Sequence, residues 1–150
     1  MAADVAELEE AFRLLTEIGI IAQLAGTAFE KVLRPEMTMP QFEVLHHLAR
    51  AGGEWTPARL ANAMQLSKGA MTNTLGHLAR RDYVAIRPDE GDGRSKLVSL
   101  TVQGLAARNA AITALMPELE EIIANVSAKL ISDTIPPLER IRCFLDKRRD

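Results

Sequence analysis

Cysteine is almost missing from these 150 residues: Cys143 is the only one. A lone thiol excludes an internal disulfide and leaves no cysteine cluster to hold zinc, so neither a disulfide scaffold nor a metal site is expected. The sequence also lacks an uninterrupted apolar run of about 18 residues. It opens on Asp4, Glu7, Glu9 and Glu10 instead of a basic stretch followed by an apolar one. Those absences point to a soluble, cytoplasmic protein with no membrane partner. A nucleotide-binding glycine loop, an HExxH pair and a nucleophile elbow are absent too, and no enzymatic activity or cofactor is expected. At this length a single domain spanning residues 1–150 is the default, burying about two thirds of its unfolded surface.

The formal net charge of -2 says little, but its distribution says more. Residues 1–55 hold four Lys or Arg against nine Asp or Glu, a balance of -5. Residues 56–100 hold seven against four, a balance of +3, and residues 101–150 hold seven of each. The one net-positive segment is where phosphate contacts would be made if the chain met nucleic acid.

In chain order, residues 4–34 predict one long helix, opened by a capping box of Asp4 with Glu7 and stopped by Pro35. Leu8, Phe12, Leu15, Ile18, Ala22, Ala25 and Phe29 recur at three- and four-residue spacing and give it an apolar stripe. About thirty helical residues reach roughly 45 Å, more than a 150-residue globule covers along its whole length, and the excess suggests a partner subunit. A second helix follows from Met37 to Arg50, with Thr38 as N-cap, Gln41 at the capping-box position, and Phe42, Leu45, Leu48 and Ala49 facing inward. Gly52 and Gly53 end it. His46 and His47 are adjacent and face different ways; packed or surface positions are the ordinary reading for both.

Thr56 and Pro57 then open a short third helix, with Leu60 and Ala63 inward and Gln65 turning the chain. Ser67 caps a fourth, from Lys68 to about Arg81, whose core side is Ala70, Met71, Leu75 and Leu78. Its other side presents Lys68, Gly69, Thr72, Asn73, Gly76 and His77, and no Asp or Glu lies between Ser67 and Arg81. A helix entering the major groove must avoid repulsion from phosphates while placing donors near base edges, and this composition suits it. Next the period changes to two: Tyr83–Arg87 and Lys96–Leu100 read as strands joined by the turn-rich loop PDEGDGRS. Asp92 either pairs with Arg94 and orients it toward DNA or merely stabilises the turn. Thr101 caps a fifth helix, interrupted or bent near Pro117, and after Ser132 and Asp133 the pair Pro136 and Pro137 can open a last one carrying Leu138, Ile141, Phe144 and Leu145. The fold class is therefore mainly α with a small β hairpin: a winged helix-turn-helix over 38–100, flanked by N- and C-terminal dimerisation helices at 4–34 and 101–148.

These motifs resemble the MarR family of bacterial transcriptional regulators. The resemblance rests on TMPQFEVLHHL, on LANAMQLSKGAMTNTLGHLARRDYV, and above all on the wing DGRSKLVSLTVQG, where Asp92, Arg94, Leu100, Thr101 and Gly104 match the family's pattern. It implies an obligate homodimer that binds a pseudo-palindromic duplex operator and usually represses. It matches Ser67, Gly69, Ala70, Thr72, Asn73 and His77 to recognition-helix positions and Arg94 to the wing arginine, with Lys68 and Lys96 as neighbouring cations and Asp92 as the wing-orienting residue. Asn73 and His77 stand where relatives often carry arginine, so the operator does not carry over. Asp82 replaces a common glycine and is expected to adopt a left-handed conformation. The resemblance also implies a small aromatic or anionic effector in the region bounded by the first, second and fifth helices, with His46, His47 and Arg50 as candidate anion contacts. Oxidant sensing through Cys143 is set against a buried structural thiol there. A winged-helix module for protein interaction without DNA binding is the competing function.

Overall fold

In the computed structural model, residues 3–149 are described and form six helices and one hairpin. In order these are α1 (Val5–Leu33), α2 (Met39–Ala51), α3 (Pro57–Met64), α4 (Lys68–Arg80), β1 (Val84–Asp89), β2 (Asp92–Leu100), α5 (Val102–Val126) and α6 (Ala128–Asp146). The chain forms two compact units, one ending at Ala114 and the other beginning at Leu115, so the division falls inside α5.

The helices start where short polar side chains satisfy the first amides. Asp4 accepts from the Glu7 amide at 2.7 Å while the Glu7 carboxylate accepts from the Asp4 amide at 3.1 Å. Thr38 and Gln41 close the same box at the start of α2, and Thr56 and Ser67 cap α3 and α4 through the amides of Arg59 and Ala70. Each such cap is worth about 1 kcal/mol. Gln65 closes the turn between α3 and α4 in the left-handed region, φ 53°, and Asp82 does the same after α4 at φ 57°, as the family resemblance implied.

The core of the first unit is built from Val44, Leu45 and Leu48 of α2, Leu60 of α3, Met71, Leu75 and Leu78 of α4, and Val84 and Val98 of the hairpin. Burying each of these large side chains contributes about 1.5–3 kcal/mol. Ala70, expected inward, is exposed, and Thr74 is buried in its place. The reason is periodic: positions 71, 74, 75 and 78 share one face, and 70 lies a step off it. Ala49 and Ala63 are likewise only half-buried, whereas Val44 and Ala61 take the interior.

The hairpin is longer than its sequence suggested. Strand pairing runs from Val84 opposite Leu100 up to Asp89 opposite Asp92, so most of the polar loop is strand and the tip shrinks to Glu90 and Gly91. Two contacts from outside tie the wing down. Trp55 exchanges backbone hydrogen bonds with Val98 at 2.9 and 2.8 Å, forming the stub of a third strand. Arg87 grips Glu54 with two parallel bonds of 2.8 and 2.7 Å.

Thr101 begins α5 by accepting from the Gly104 amide at 2.9 Å, and its hydroxyl donates to the Asp82 carbonyl. Here Gly104 is demanded by space, because a Cβ on it would lie 1.9 Å from the Tyr83 carbonyl oxygen. The expected interruption near Pro117 is absent, and α5 runs unbroken through it. The break comes instead at Ser127, φ 68° and ψ 138°, whose side chain caps α6 through the Leu130 amide. Pro136 and Pro137 therefore lie inside α6 and do not open it. Their missing amides leave carbonyls one turn back without helical donors, which an exposed helix tolerates because water reaches them.

No residue of α6 is buried, and in α1 only Leu33 is. Leu8, Leu15, Ile20 and Ile21 of α1 are exposed, and Phe12 reaches 75%. Among the described residues α1 is the one helix long and apolar enough, by length and composition, to cross a membrane. Cys143 is exposed, which overturns the buried thiol expected of it.

Candidate nucleic-acid interface

The exposed face of α4 is made by its sequence pattern. With Met71, Thr74, Leu75 and Leu78 committed to the interior, Ser67, Lys68, Gly69, Ala70, Thr72, Asn73 and His77 are all left exposed. No carboxylate interrupts them. Three side chains on this face are partly spoken for: the Ser67 hydroxyl caps the helix, the Thr72 hydroxyl donates to the Lys68 carbonyl at 2.9 Å, and His77 Nδ1 meets the Arg80 guanidinium at 2.8 Å. Asn73, one turn before His77, retains both amide functions for an outside partner.

In the wing, Arg94 occupies an irregularity in the ladder. Asp89 pairs with Asp92 and Pro88 with Lys96, so Gly93, Arg94 and Ser95 of β2 stand between those pairs with no register partner on β1. Such bulges re-aim a side chain away from the regular alternation. Asp92 contributes through the backbone: its carboxylate accepts from the Arg94 amide at 3.1 Å, and no Asp92–Arg94 side-chain ion pair occurs among the described residues. Asp89 accepts from the Gly91 amide at 3.0 Å in the same manner. Two of the three tip acids thus form the turn.

The cations of the 56–100 segment divide into two groups. Arg87 is held by Glu54, Arg81 lies over Tyr83 and bonds the Glu36 carbonyl, Arg59 covers the Trp55 ring at 4.2 Å, and Arg80 bonds His77. Among the described residues no hydrogen bond or ion pair engages the Lys68 or Lys96 ammonium or the Arg94 guanidinium. The cations left available are those the sequence had singled out.

His46 and His47 are drawn apart. His46 stacks on Phe42 at 5.5 Å and its Nδ1 lies 3.0 Å from the Arg108 guanidinium, while His47 meets the Trp55 ring edge-on at 4.5 Å. Burial, then the charges of Arg108 and Arg50, hold the His46 pKa below its ordinary value. Arg108 escaped the sequence reading because it lies 62 residues away. Glu43 nearby in sequence has its pKa raised by burial. A cavity of about 220 Å³ is lined by Val32 and Leu33 of α1, Met37, Tyr83, and Ala107 and Ala111 of α5, with Arg81 and Glu36 also on its wall. None of His46, His47 and Arg50 lines it.

Residues 36–95 match the MarR family. Over this segment the chain is similar to the MarR family. The matched MarR segment takes in α2, the helix-turn-helix and most of the wing. Among relatives, the chain is 26% identical over 110 residues to the HTH-type transcriptional regulator PecS of Dickeya dadantii, covering 71% of this chain and 66% of that protein. It is 32% identical over 106 residues to the transcriptional activatory protein BadR of Rhodopseudomonas palustris, covering 69% and 60%. The chain thus spans about two thirds or less of the length of these relatives. Among solved structures it superposes on the transcriptional regulator BldR from Sulfolobus solfataricus with TM-score 0.76, at 20% identity over 91% of this chain and 96% of that one. It also superposes on a mutant MarR from E. coli complexed with operator DNA, TM-score 0.68, 26% identity, 93% and 99% covered.

Proposed function

We propose that this chain is a regulator of the MarR type: a dimeric, sequence-specific duplex-DNA-binding transcriptional regulator that represses from a pseudo-palindromic operator. The observation carrying this reading is the acid-free exposed face of α4 beside a wing whose Arg94 is lifted out of the ladder, with Lys68, Lys96 and Arg94 unengaged. The relative crystallised with operator DNA and the two regulators named above lend it support. Ser67, Lys68, Gly69, Ala70, Thr72, Asn73 and His77 would meet the major groove and its phosphates, and Arg94 and Lys96 the flanking backbone or minor groove. The open apolar faces of α1 and α6 are the reason for proposing a homodimer, which also supplies the second half-site. On this reading residues 38–100 act as the reader, and 4–34 with 101–148 as its dimerisation frame.

Fluorescence anisotropy on duplex DNA across a salt series tests the assignment. Binding should be saturable and should weaken steeply as salt rises. Asn73→Ala combined with Arg94→Ala should reduce affinity at least tenfold while sedimentation still reports a dimer. Unchanged operator affinity in that double variant would sink these contacts. Absence of any salt-sensitive binding would favour the protein-interaction module, for which the acidic first third of the chain is the specific observation.

Effector control belongs to the same proposal. The 220 Å³ cavity, apolar but for Glu36 and the guanidinium of Arg81, has the size and lining for a single-ring aromatic acid. Adding benzoate-type acids to the preformed complex should release DNA; retention at saturating acid would count against this site.

A further inference from the structure

A basic side chain absent from the candidate contacts decides how one of those contacts can be used. Arg80 follows His77 by three residues on α4, so the two share a face. Its guanidinium lies alongside Gly76 and places one terminal nitrogen 2.8 Å from His77 Nδ1. Arginine carries five N–H donors and no acceptor, and it stays protonated at any working pH. The ring atom it meets must therefore accept, so Nδ1 carries no proton and the proton of a neutral ring sits on Nε2.

We infer that Arg80 is a positioning residue that holds His77 Nδ1 as an acceptor and leaves Nε2–H as the exposed donor, and so makes position 77 a reader of acceptor-bearing base edges. The inference rests on the DNA-binding reading above and deepens it. A free histidine divides between two tautomers and could offer a donor or an acceptor at its exposed nitrogen; with Nδ1 held, only the donor remains. In the major groove a donor suits guanine, whose edge shows two acceptors, N7 and O6, and it opposes cytosine, whose N4 amino group is itself a donor. Asn73 one turn earlier keeps a donor and an acceptor, the pair that matches adenine. The helix thus offers a one-way contact at 77 and a two-way contact at 73.

Two measurements on the full-length chain test this. Two-bond nitrogen–proton correlations on protein carrying 15N-histidine report the tautomer of each ring; there are three histidines, and His77→Asn identifies the signal wanted. The wild-type His77 should show the Nε2–H form, and Arg80→Met should return the ring to a mixture. An Nδ1–H form in the wild type, or a ring unmoved by Arg80→Met, overturns the inference. In parallel, the duplexes selected by wild-type protein from a randomised library define a guanine position lost in His77→Ala. The affinity ratio between that duplex and its guanine-to-cytosine variant should fall roughly three- to tenfold in Arg80→Met, the worth of one directed hydrogen bond. If Arg80 only touched phosphate, the variant would weaken all duplexes alike and lower the salt slope with the ratio intact, which also overturns the inference. Failure of the wild type to select any duplex would instead overturn the DNA-binding reading, while the tautomer still judges the Arg80–His77 contact.

Discussion

Helices α4 and α6 are both amphipathic, yet they differ in what their apolar residues have found. In thirteen residues α4 buries Met71, Thr74, Leu75 and Leu78; in nineteen, α6 buries nothing. The first is held in place by its own chain, through packing and a capped N-terminus. The second keeps Leu130, Ile135, Phe144 and Leu145 exposed, as α1 keeps Leu8 and Phe12. Exposed apolar surface of this extent marks an interaction face. The lesson is a division of labour: the candidate reading surface is organised by internal packing, and the terminal helices carry apolar faces that their own chain leaves open.

The comparison can be broken most severely at Gly104. A methyl group there would collide with the Tyr83 backbone, and backbone cannot rotate away as a side chain can. Gly104→Ala is expected to cost about 2–4 kcal/mol or prevent folding, seen as a large drop in thermal midpoint. A variant melting like the wild type would mean that the joint between Tyr83 and α5 is slack. The opposite side of the comparison is tested by Phe12→Glu together with Phe144→Glu. Neither side chain supports the internal core, so helical content should persist while sedimentation shows loss of the proposed dimer; an unaltered dimer would place the interface on other residues. The smallest effect should come from pH. Because the folded-state pKa of His46 is lowered, the unfolded chain binds a proton more readily. Stability should therefore fall as pH drops through histidine's ordinary range toward the lower folded value, then level off. His46→Gln should flatten that limb of the stability profile, and a profile with the same slope would assign it to another group.

Legibility in the sequence followed the range of the interaction. The caps at Asp4, Thr38, Thr56 and Ser67 were readable because each hydrogen bond spans three residues. The left-handed Asp82 was expected from the family resemblance, in which glycine commonly stands at that position. Contacts such as Arg87 to Glu54 and Arg81 to Glu36 join residues 33 and 45 positions apart, and no local pattern announces them. The wing was placed well but trimmed too short, since charged residues at a solvent-facing strand tip look like loop. The start of α6 was misplaced for a related reason: Pro136 and Pro137 are strong stop signals, but Ser127, bearing no such mark, makes the turn. For the interface, exposure and lack of acids on α4 were visible in periodicity, whereas the Arg80–His77 geometry needed coordinates.

Trp55 has a use beyond holding the hairpin. It is the single tryptophan, its indole N–H bonds to the Gly52 carbonyl at 2.9 Å, and its ring lies under Arg59 and against His47. Indole emission responds to hydrogen bonding and to nearby charge, and all of it here arises at the root of the wing. The chain therefore carries its own optical label at the point where the wing joins the lobe, so that any displacement of the wing by a bound partner can be followed in unmodified protein.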